Sequence, residues 1–216
     1  MIIRSALHAG WLAAVCFVLA LWWLGGDHGV FQAARHPLGH LGAAQAEAAV
    51  LWNPGGFLLP GLLLFAFCLA LEAILQDQAP SRAGRVATGM LMLSALAFAA
   101  QGLLPFDLDD PDSAASGRHV TALGLALIAQ VAGSLLLGLS LRGERAWREL
   151  AWLGGLLALL LLALLVWPAQ DWLAPLRGRP GHAQRLVFAL YFAWFVLAAR
   201  VALRNLRSSR WRRTGR

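Results

Sequence analysis

HVTALGLALIAQVAGSLLLGLSL, residues 119–141, contains no Asp, Glu, Lys or Arg. It is long enough to cross a bilayer as one helix, which takes roughly 20 apolar residues, and similar runs recur along the chain. The 216-residue chain is 59% hydrophobic and 13% charged, whereas soluble domains carry about 25% charged residues. These runs lack the alternation of barrel strands, so the sequence predicts an all-α, polytopic membrane protein.

Six membrane-spanning helices are predicted, because the breaks between the apolar runs carry glycine, proline or charged residues. The predicted spans are residues 5–25, 54–76, 86–104, 119–141, 149–167 and 184–203. Residues 1–203 are predicted to form a single six-helix transmembrane bundle, and residues 204–216 a basic cytoplasmic tail. The connection between the first two spans is a longer outer loop than a simple turn requires.

The placement of arginine predicts the orientation. All 18 basic residues are arginine, and 13 of them fall on the cytoplasmic side if the N-terminus is placed there. Cytoplasmic segments of membrane proteins are enriched in basic residues, so we predict a multi-pass membrane protein with both termini cytoplasmic. The net charge of +7 lies mainly at helix ends, which favours membrane lipids as partners and argues against nucleic-acid binding.

Tryptophan side chains are predicted at the membrane interfaces, where the apolar ring and the N–H group are both accommodated. Trp22, Trp23 and Trp52 fall at predicted outer ends of spans. Trp194 lies well inside the last span and is predicted to pack within the bundle.

Polar side chains inside the spans are few. Gln130 and Ser134 follow His119 along one face of the fourth span, and Ser94 and Gln101 share a face of the third. Polar groups in a bilayer face neighbouring helices, so these residues are interpreted as interhelical contacts in preference to a translocation path.

Chemistry-bearing side chains are concentrated in the predicted outer loops, which hold five of the six histidines and an aspartate-rich run. We predict that Asp107 and His119 face one outward-facing polar pocket, because carboxylate and imidazole groups bind ligands and transfer protons. Four further residues from other helices or the first loop are candidates to complete it: His40, Asn53, His182 and Arg185. The histidines of the outer loops are His28, His36, His40, His119 and His182.

Three functions and a purely structural role in loop hydrogen bonding are compatible with this pattern. The first function is binding of a lipid headgroup or small molecule, with Arg185 available to a phosphate or carboxylate. The second is a membrane-embedded hydrolase, metal-dependent or not, that uses Asp107, His40, His119 and His182. The third is a non-catalytic scaffold or assembly subunit. The sequence contains no H-E-x-x-H or paired C-x-x-C motif, so no motif assigns a metal. It also assigns no cofactor, substrate, protein partner or oligomeric state.

Four segments together resemble the bacterial membrane family catalogued as domain of unknown function 998. The segments are HPLGHLG at 36–42, LWNPG at 51–55, GLLPFD at 102–107 followed by His119, and GHAQRL at 181–186. The resemblance covers nearly the whole chain and implies six helices and the same candidate residues, but no activity. In the family pattern a serine often stands where this chain has Gly39, and a glutamate where it has Gln184. A mechanism that needs a hydroxyl or a carboxylate at these positions is therefore not implied.

Overall fold

The computed structural model describes residues 2–27, 31–166 and 179–214. Within these ranges it is all-helical, with six main helices, as the sequence predicts. Five of them are long and apolar enough to cross a membrane, and the fifth helix in chain order is shorter. The helices are α1 (Ile2–Leu24), α2 (Ala49–Gln78), α3 (Arg82–Ala100), α4 (Ala114–Leu141), α5 (Leu150–Val166) and α6 (Pro180–Thr214).

Each predicted span overlaps one of these helices, but several ends differ, and α2 and α4 begin earlier than predicted, at Ala49 and Ala114. The third helix ends at Ala100, earlier than predicted, because a turn around Gly102 precedes Pro105. The last helix continues to Thr214, so the basic segment predicted as a separate tail extends α6 within the residues described. His28 and the predicted outer loop between α5 and α6 lie largely outside the described residues.

The helices form a closed ring. Each one packs against the next in the chain, and α6 returns to pack against α1. Short connections at 79–81 and 142–149 join α2 to α3 and α4 to α5, which makes these pairs antiparallel neighbours. Ser81 caps the start of α3 by accepting the N–H of Gly84 at 2.8 Å. The ring therefore follows chain order without a crossover.

Aromatic side chains fill the centre of the ring. Phe98 of α3 lies at the middle of this cluster and is fully buried. Because helices in lipid gain little from hydrophobic association, close packing of this kind holds the bundle together. The rings around Phe98 have centroids 5.2–6.2 Å away and come from three other helices: Phe17, Phe57, Phe188, Tyr191 and Phe192.

Ser94 connects three helices inside the bundle, as the interhelical interpretation predicts. Its hydroxyl lies 2.7 Å from the carbonyl oxygen of Ala126 in α4 and 2.9 Å from the hydroxyl of Tyr191 in α6. Gln130 and Ser134 are buried on α4, and their side-chain polar atoms have no hydrogen-bond partner among the described residues. They differ in this respect from Ser94.

The tryptophan predictions are confirmed in part. Trp22 and Trp23 are 84% and 79% exposed at the end of α1, and Trp194 is buried within the bundle. Trp52 is fully buried, so its placement at the interface was wrong. The loop that follows α1 covers this end of the bundle, and the Trp52 ring packs against Phe17 and Phe57 instead.

The arginine-rich end of the bundle is held by ion pairs. Glu149, just before α5, accepts from Arg200 at 2.9 Å and from Arg204 at 2.6 Å. The Asn205 side chain donates to the carbonyl oxygen of Ala146 at 2.9 Å. These contacts tie the start of α5 to α6 at the end opposite the long loop between α1 and α2.

Close approach of α2 to α3 depends on Gly61, which yields a first prediction. A Cβ atom at this position would lie 2.5 Å from the backbone nitrogen of Ala99 and 2.7 Å from its Cα. We expect Gly61→Ala to lower the thermal stability of the detergent-purified protein, since overpacking costs about 1–3 kcal/mol. Gly89→Ala in α3 is the matched control, because a Cβ there meets nothing within 4 Å. Equal melting temperatures for the two variants would contradict the packing described.

Candidate functional site

A cap, residues 31–48, crosses one end of the ring and defines the cap end of the bundle. Phe31, Leu38 and Leu41 of the cap are buried and belong to the same apolar core as the helices. A short 3₁₀ helix, Leu38–Gly42, lies at its centre. The cap is thus a packed layer over the helix ends, formed largely by the loop that the sequence predicts to be long.

Polar contacts fasten the cap at its edges. The N–H of Ala44 donates to the carbonyl oxygen of Phe106 at 2.9 Å. The Gln45 amide donates to Asp107 at 2.6 Å, and its oxygen accepts the N–H of Leu108 at 3.2 Å. On the opposite edge, the Oε1 atom of Gln184 in α6 accepts the N–H of Leu38. The cap is therefore bound to the α3–α4 loop on one side and to α6 on the other.

The Asp107 carboxylate accepts hydrogen bonds from the backbone of its own loop. Its Oδ1 atom accepts the N–H groups of Asp109 at 3.0 Å and Asp110 at 3.3 Å, in addition to the Gln45 amide. The bond from Gln45 is the main cause that lowers the pKa of Asp107, followed by the bond from Asp109. No hydrogen bond joins this carboxylate to His119 among the described residues. The geometry resembles an Asx turn that holds the loop, rather than half of an acid–base pair.

His119 lies beneath the cap and is 3% exposed. Its Nδ1 atom is 2.7 Å from the carbonyl oxygen of Leu104, which can only accept a hydrogen bond. This contact assigns the proton of the neutral ring to Nδ1 and leaves Nε2 as an acceptor. The Nε2 atom faces Gly39 of the cap, where a Cβ would lie only 2.8 Å away. The imidazole therefore presents a lone pair to the underside of the cap.

Further polar side chains without complete hydrogen bonding lie at the same end. The Asn53 amide donates to the carbonyl oxygen of Gly42 at 3.0 Å, and the Gln101 amide lies 3.5 Å from that of Phe98. The Asn53 Oδ1, Gln101 Oε1 and Trp52 Nε1 atoms are buried without partners among the described residues. Each such atom costs about 1–3 kcal/mol relative to a hydrogen-bonded state.

Contacts between neighbouring segments bring these side chains together. A Cβ at Gly102 would lie 2.5 Å from the carbonyl oxygen of Asn53, so the end of α3 rests on the first turn of α2. Phe57 lies between Trp52 and His119, with its ring centroid 5.5 Å from the Trp52 ring and 5.9 Å from the His119 ring. We call these residues the capped polar cluster: Trp52, Asn53, Gln101 and His119.

His40 lies at the half-exposed margin of this cluster. Its ring stacks on Phe106 at 5.4 Å and lies 5.4 Å from the ring of His36. Burial is the main cause that lowers its pKa, and the nearby charges of His36 and His119 act in the same direction. His40 is therefore neutral at pH 7 and able to accept or donate one hydrogen bond.

No contact joins Arg185 or His182 to His119 among the described residues. The Arg185 guanidinium donates to the carbonyl oxygens of Gly25 at 2.7 Å, Gly181 at 3.0 Å, and Ala33. These bonds fasten the end of α1 and the start of the cap to α6. His182 is exposed on the first turn of α6. The guanidinium predicted to hold a phosphate is thus engaged with backbone carbonyls.

Of the six predicted site residues, His40, Asn53 and His119 meet beneath or beside the cap. Three glutamines complete the arrangement and were not among the candidates: Gln45 and Gln184 fasten the cap, and Gln101 belongs to the cluster. The sequence signal for Gln101 was that it is one of the few polar residues in the third span, on the face it shares with Ser94. Within 2–27, 31–166 and 179–214, no three His, Cys, Asp or Glu side chains are arranged to hold a metal ion.

A family model described as a protein of unknown function, DUF998, matches residues 8–201. The chain belongs to this family, which confirms the resemblance drawn from the four sequence segments. No curated protein and no solved structure matches the chain. Function must therefore be argued from the geometry of the cap end.

Protonation of His40 is expected to loosen the cap, which gives a second prediction. The pKa of His40 in the folded protein lies below the ordinary value of 6.5. Its contribution to the free energy of unfolding is therefore fully present above pH 6.5 and is lost as the pH drops below that value. The lowered pKa of Asp107 acts only below its ordinary value of 3.8. We expect a lower melting temperature at about pH 5.5 than at about pH 7.5.

The replacement His40→Phe keeps a ring against Phe106 and should reduce this pH dependence. His182→Phe, at an exposed position, is the control and should behave as the wild type. If His40→Phe retains the full wild-type dependence, another group governs the stability of the cap.

Proposed function

We propose that this DUF998 protein, a multi-pass membrane protein, binds a small hydrogen-bond donor or a lipid headgroup that carries such donors beneath its cap. One observation carries the proposal: buried acceptors of Asn53 and Gln101 lie without partners at the same end as the Nε2 atom of His119. A bound molecule that donates hydrogen bonds to these atoms would recover the free energy lost by burying them.

The chemistry of the capped polar cluster favours a particular class of ligand. Two buried oxygen atoms of the cluster, Asn53 Oδ1 and Gln101 Oε1, accept hydrogen bonds and have no partner among the described residues, and the Nε2 atom of His119 faces the cap beside them. The Trp52 N–H is a single available donor. Hydroxyl and ammonium groups supply the donors that this set needs, whereas a phosphate diester supplies only acceptors. Arg185, the predicted phosphate ligand, is committed to carbonyl oxygens and is proposed to position the cap instead.

Entry of the ligand is proposed to occur where Gln45 meets Asp107. This contact lies on the exposed rim of the cap, and side-chain hydrogen bonds in water contribute little net stability, about 0.5–1.5 kcal/mol each. The buried cap residues, by contrast, remain packed on the core. In this proposal Asp107 acts on the closure of the cap, and His40 lines the margin that the ligand passes.

We also propose that the cap end faces away from the cytoplasm of a bacterial inner membrane, with both termini inside. The positive-inside distribution supports this orientation, because arginines concentrate at the end that carries Glu149, Arg200 and Arg204. A ligand would then reach the capped polar cluster from the external side or from the outer leaflet.

Hydrolysis is a second candidate function, and the tautomer of His119 favours it. An imidazole held through Nδ1 by the Leu104 carbonyl carries no proton on Nε2, which is the form that can act on a water molecule as general base. This version needs no metal ligand set. Conversion of a bound ester or amide by the wild type, and its loss in His119→Gln, would distinguish hydrolysis from binding alone.

The binding proposal yields a third prediction, tested with Gln101→Leu. This change removes a buried unpartnered amide oxygen, so we expect the melting temperature to hold or rise. Ethanolamine, which carries ammonium and hydroxyl donors, should stabilise the wild type in a thermal-shift titration. Gln101→Leu should bind it about tenfold more weakly, the loss expected for one hydrogen bond.

Gln130→Leu is the matched control, because Gln130 is also buried and unpartnered but lies deep in α4. It should bind ethanolamine as the wild type does. Inorganic sulfate at millimolar concentration, whose oxygens only accept hydrogen bonds at neutral pH, should give no shift with any variant. Equal affinity of wild type and Gln101→Leu, or stabilisation by sulfate alone, would refute the proposed ligand chemistry.

A further inference from the structure

A groove of about 470 Å³ lies on the outer surface of the bundle, on the first two turns of α4. It is separate from the capped polar cluster. Five of its lining residues come from one side of α4, and Leu104 of the preceding loop forms the remaining wall. A Cβ at Gly117 would meet nothing within 4 Å, so the space above this residue is open. The lining residues are Leu104, Ala114, Gly117, Arg118, Thr121 and Ala122.

The depth of the groove in the membrane follows from the length of α4. This helix has 28 residues, more than the roughly 20 that cross the hydrocarbon layer. The other end of α4 is Leu141, and Arg142 follows it at the arginine-rich end of the bundle. Counting about 20 residues back from Leu141 places the hydrocarbon boundary near Ala122. Arg118 then lies one turn beyond the boundary, at the level of lipid headgroups.

An apolar track continues from the groove toward the middle of the membrane. Thr121, Leu125 and Ile128 lie on the same exposed face of α4 as Gly117, and Leu125 and Ile128 are 42% and 67% exposed. Exposed apolar side chains on a spanning helix contact acyl chains. The groove is thus continuous with a surface that lipid covers.

Arg118 supplies the one cationic group among the residues that line the groove. It is exposed, and no ion pair or hydrogen bond engages its guanidinium among the described residues. A guanidinium at headgroup depth binds a phosphate diester through its planar set of N–H donors. Most of the lining is apolar, which suits a molecule with an attached hydrocarbon chain and gives a free phosphate ion no further partner.

We propose that the groove is a binding site for a phospholipid of the leaflet at the cap end. The lipid phosphate lies on Arg118, and its first chain carbons occupy the space over Gly117 and beside Leu104. This site is independent of the proposed function, because none of its lining residues belongs to the capped polar cluster. The charge on Arg118 favours a lipid with net negative charge, such as phosphatidylglycerol, over a zwitterionic one.

The test uses the full chain purified in detergent and native mass spectrometry with added phosphatidylglycerol. We expect the wild type to retain one lipid and Arg118→Gln to bind it about tenfold more weakly. Arg142→Gln, at an exposed arginine on the other end of the same helix, is the matched control and should bind as the wild type does. Equal retention by wild type and Arg118→Gln would overturn the proposal.

A second pair of variants tests the groove without changing charge. Gly117→Phe fills the groove and should abolish lipid retention, whereas Gly124→Phe, at another open glycine of α4 outside the groove, should not. Inorganic phosphate at millimolar concentration should not displace the lipid. Displacement of the lipid by phosphate would show that the groove is an anion site. A dimer of the chain that binds no lipid in the groove would show that a second copy occupies it. Either result would overturn the proposal.

Discussion

Aromatic packing around Phe98 is the constraint on which the rest of the bundle depends. Helices in lipid are not driven together by the hydrophobic effect, so a ring of six needs side chains that fill its centre closely. Phe98 meets this need by contacting rings from α1, α2 and α6 at once. Because the centre is filled with aromatic rings, polar side chains are confined to interhelical faces and to the two ends of the ring. The ends must therefore carry whatever polar chemistry the protein performs.

The two ends satisfy their polar groups to different degrees. At the arginine-rich end, Glu149 accepts from two arginines and Asn205 reaches a backbone carbonyl. At the cap end, polar atoms stay unpartnered beneath an ordered layer. Unpartnered buried polar atoms are not unique to this end, since Trp147 Nε1 at the arginine-rich end and the Gln130 amide in α4 show the same condition. What distinguishes Gln101 is its setting beside an imidazole acceptor and under a cap held at its rim by polar contacts. A purely structural site would be more stable with apolar residues there.

Hydropathy and turn residues predicted the number and order of the helices, because both depend on local composition. The sequence also places the candidate site at the cap end, since histidines have few other places in so apolar a chain. It could not show that Asp107 and His119 bond to different backbone groups and not to each other. The direction of each side chain is set by backbone groups, the N–H groups of Asp109 and Asp110 in one case and the Leu104 carbonyl in the other. The interfacial placement predicted for Trp52 was wrong for a related reason. No residue near it in the sequence indicates that the cap will cover its ring.

Two glycines of the cap let its backbone pack closely against His119 and Asn53. Gly39 and Gly42 are three residues apart in a 3₁₀ helix, so they lie on one edge of it. A side chain at Gly39 would contact His119 Nε2, and one at Gly42 would contact Asn53 Oδ1. Because neither glycine carries a side chain, the cap backbone lies close to both acceptors. The same two positions supply no side-chain donor to His119 or Asn53. Because a Cβ would lie only 2.8 Å from His119 Nε2 at Gly39 and closer still to Asn53 Oδ1 at Gly42, a larger residue at either position would push the cap away from the helix ends.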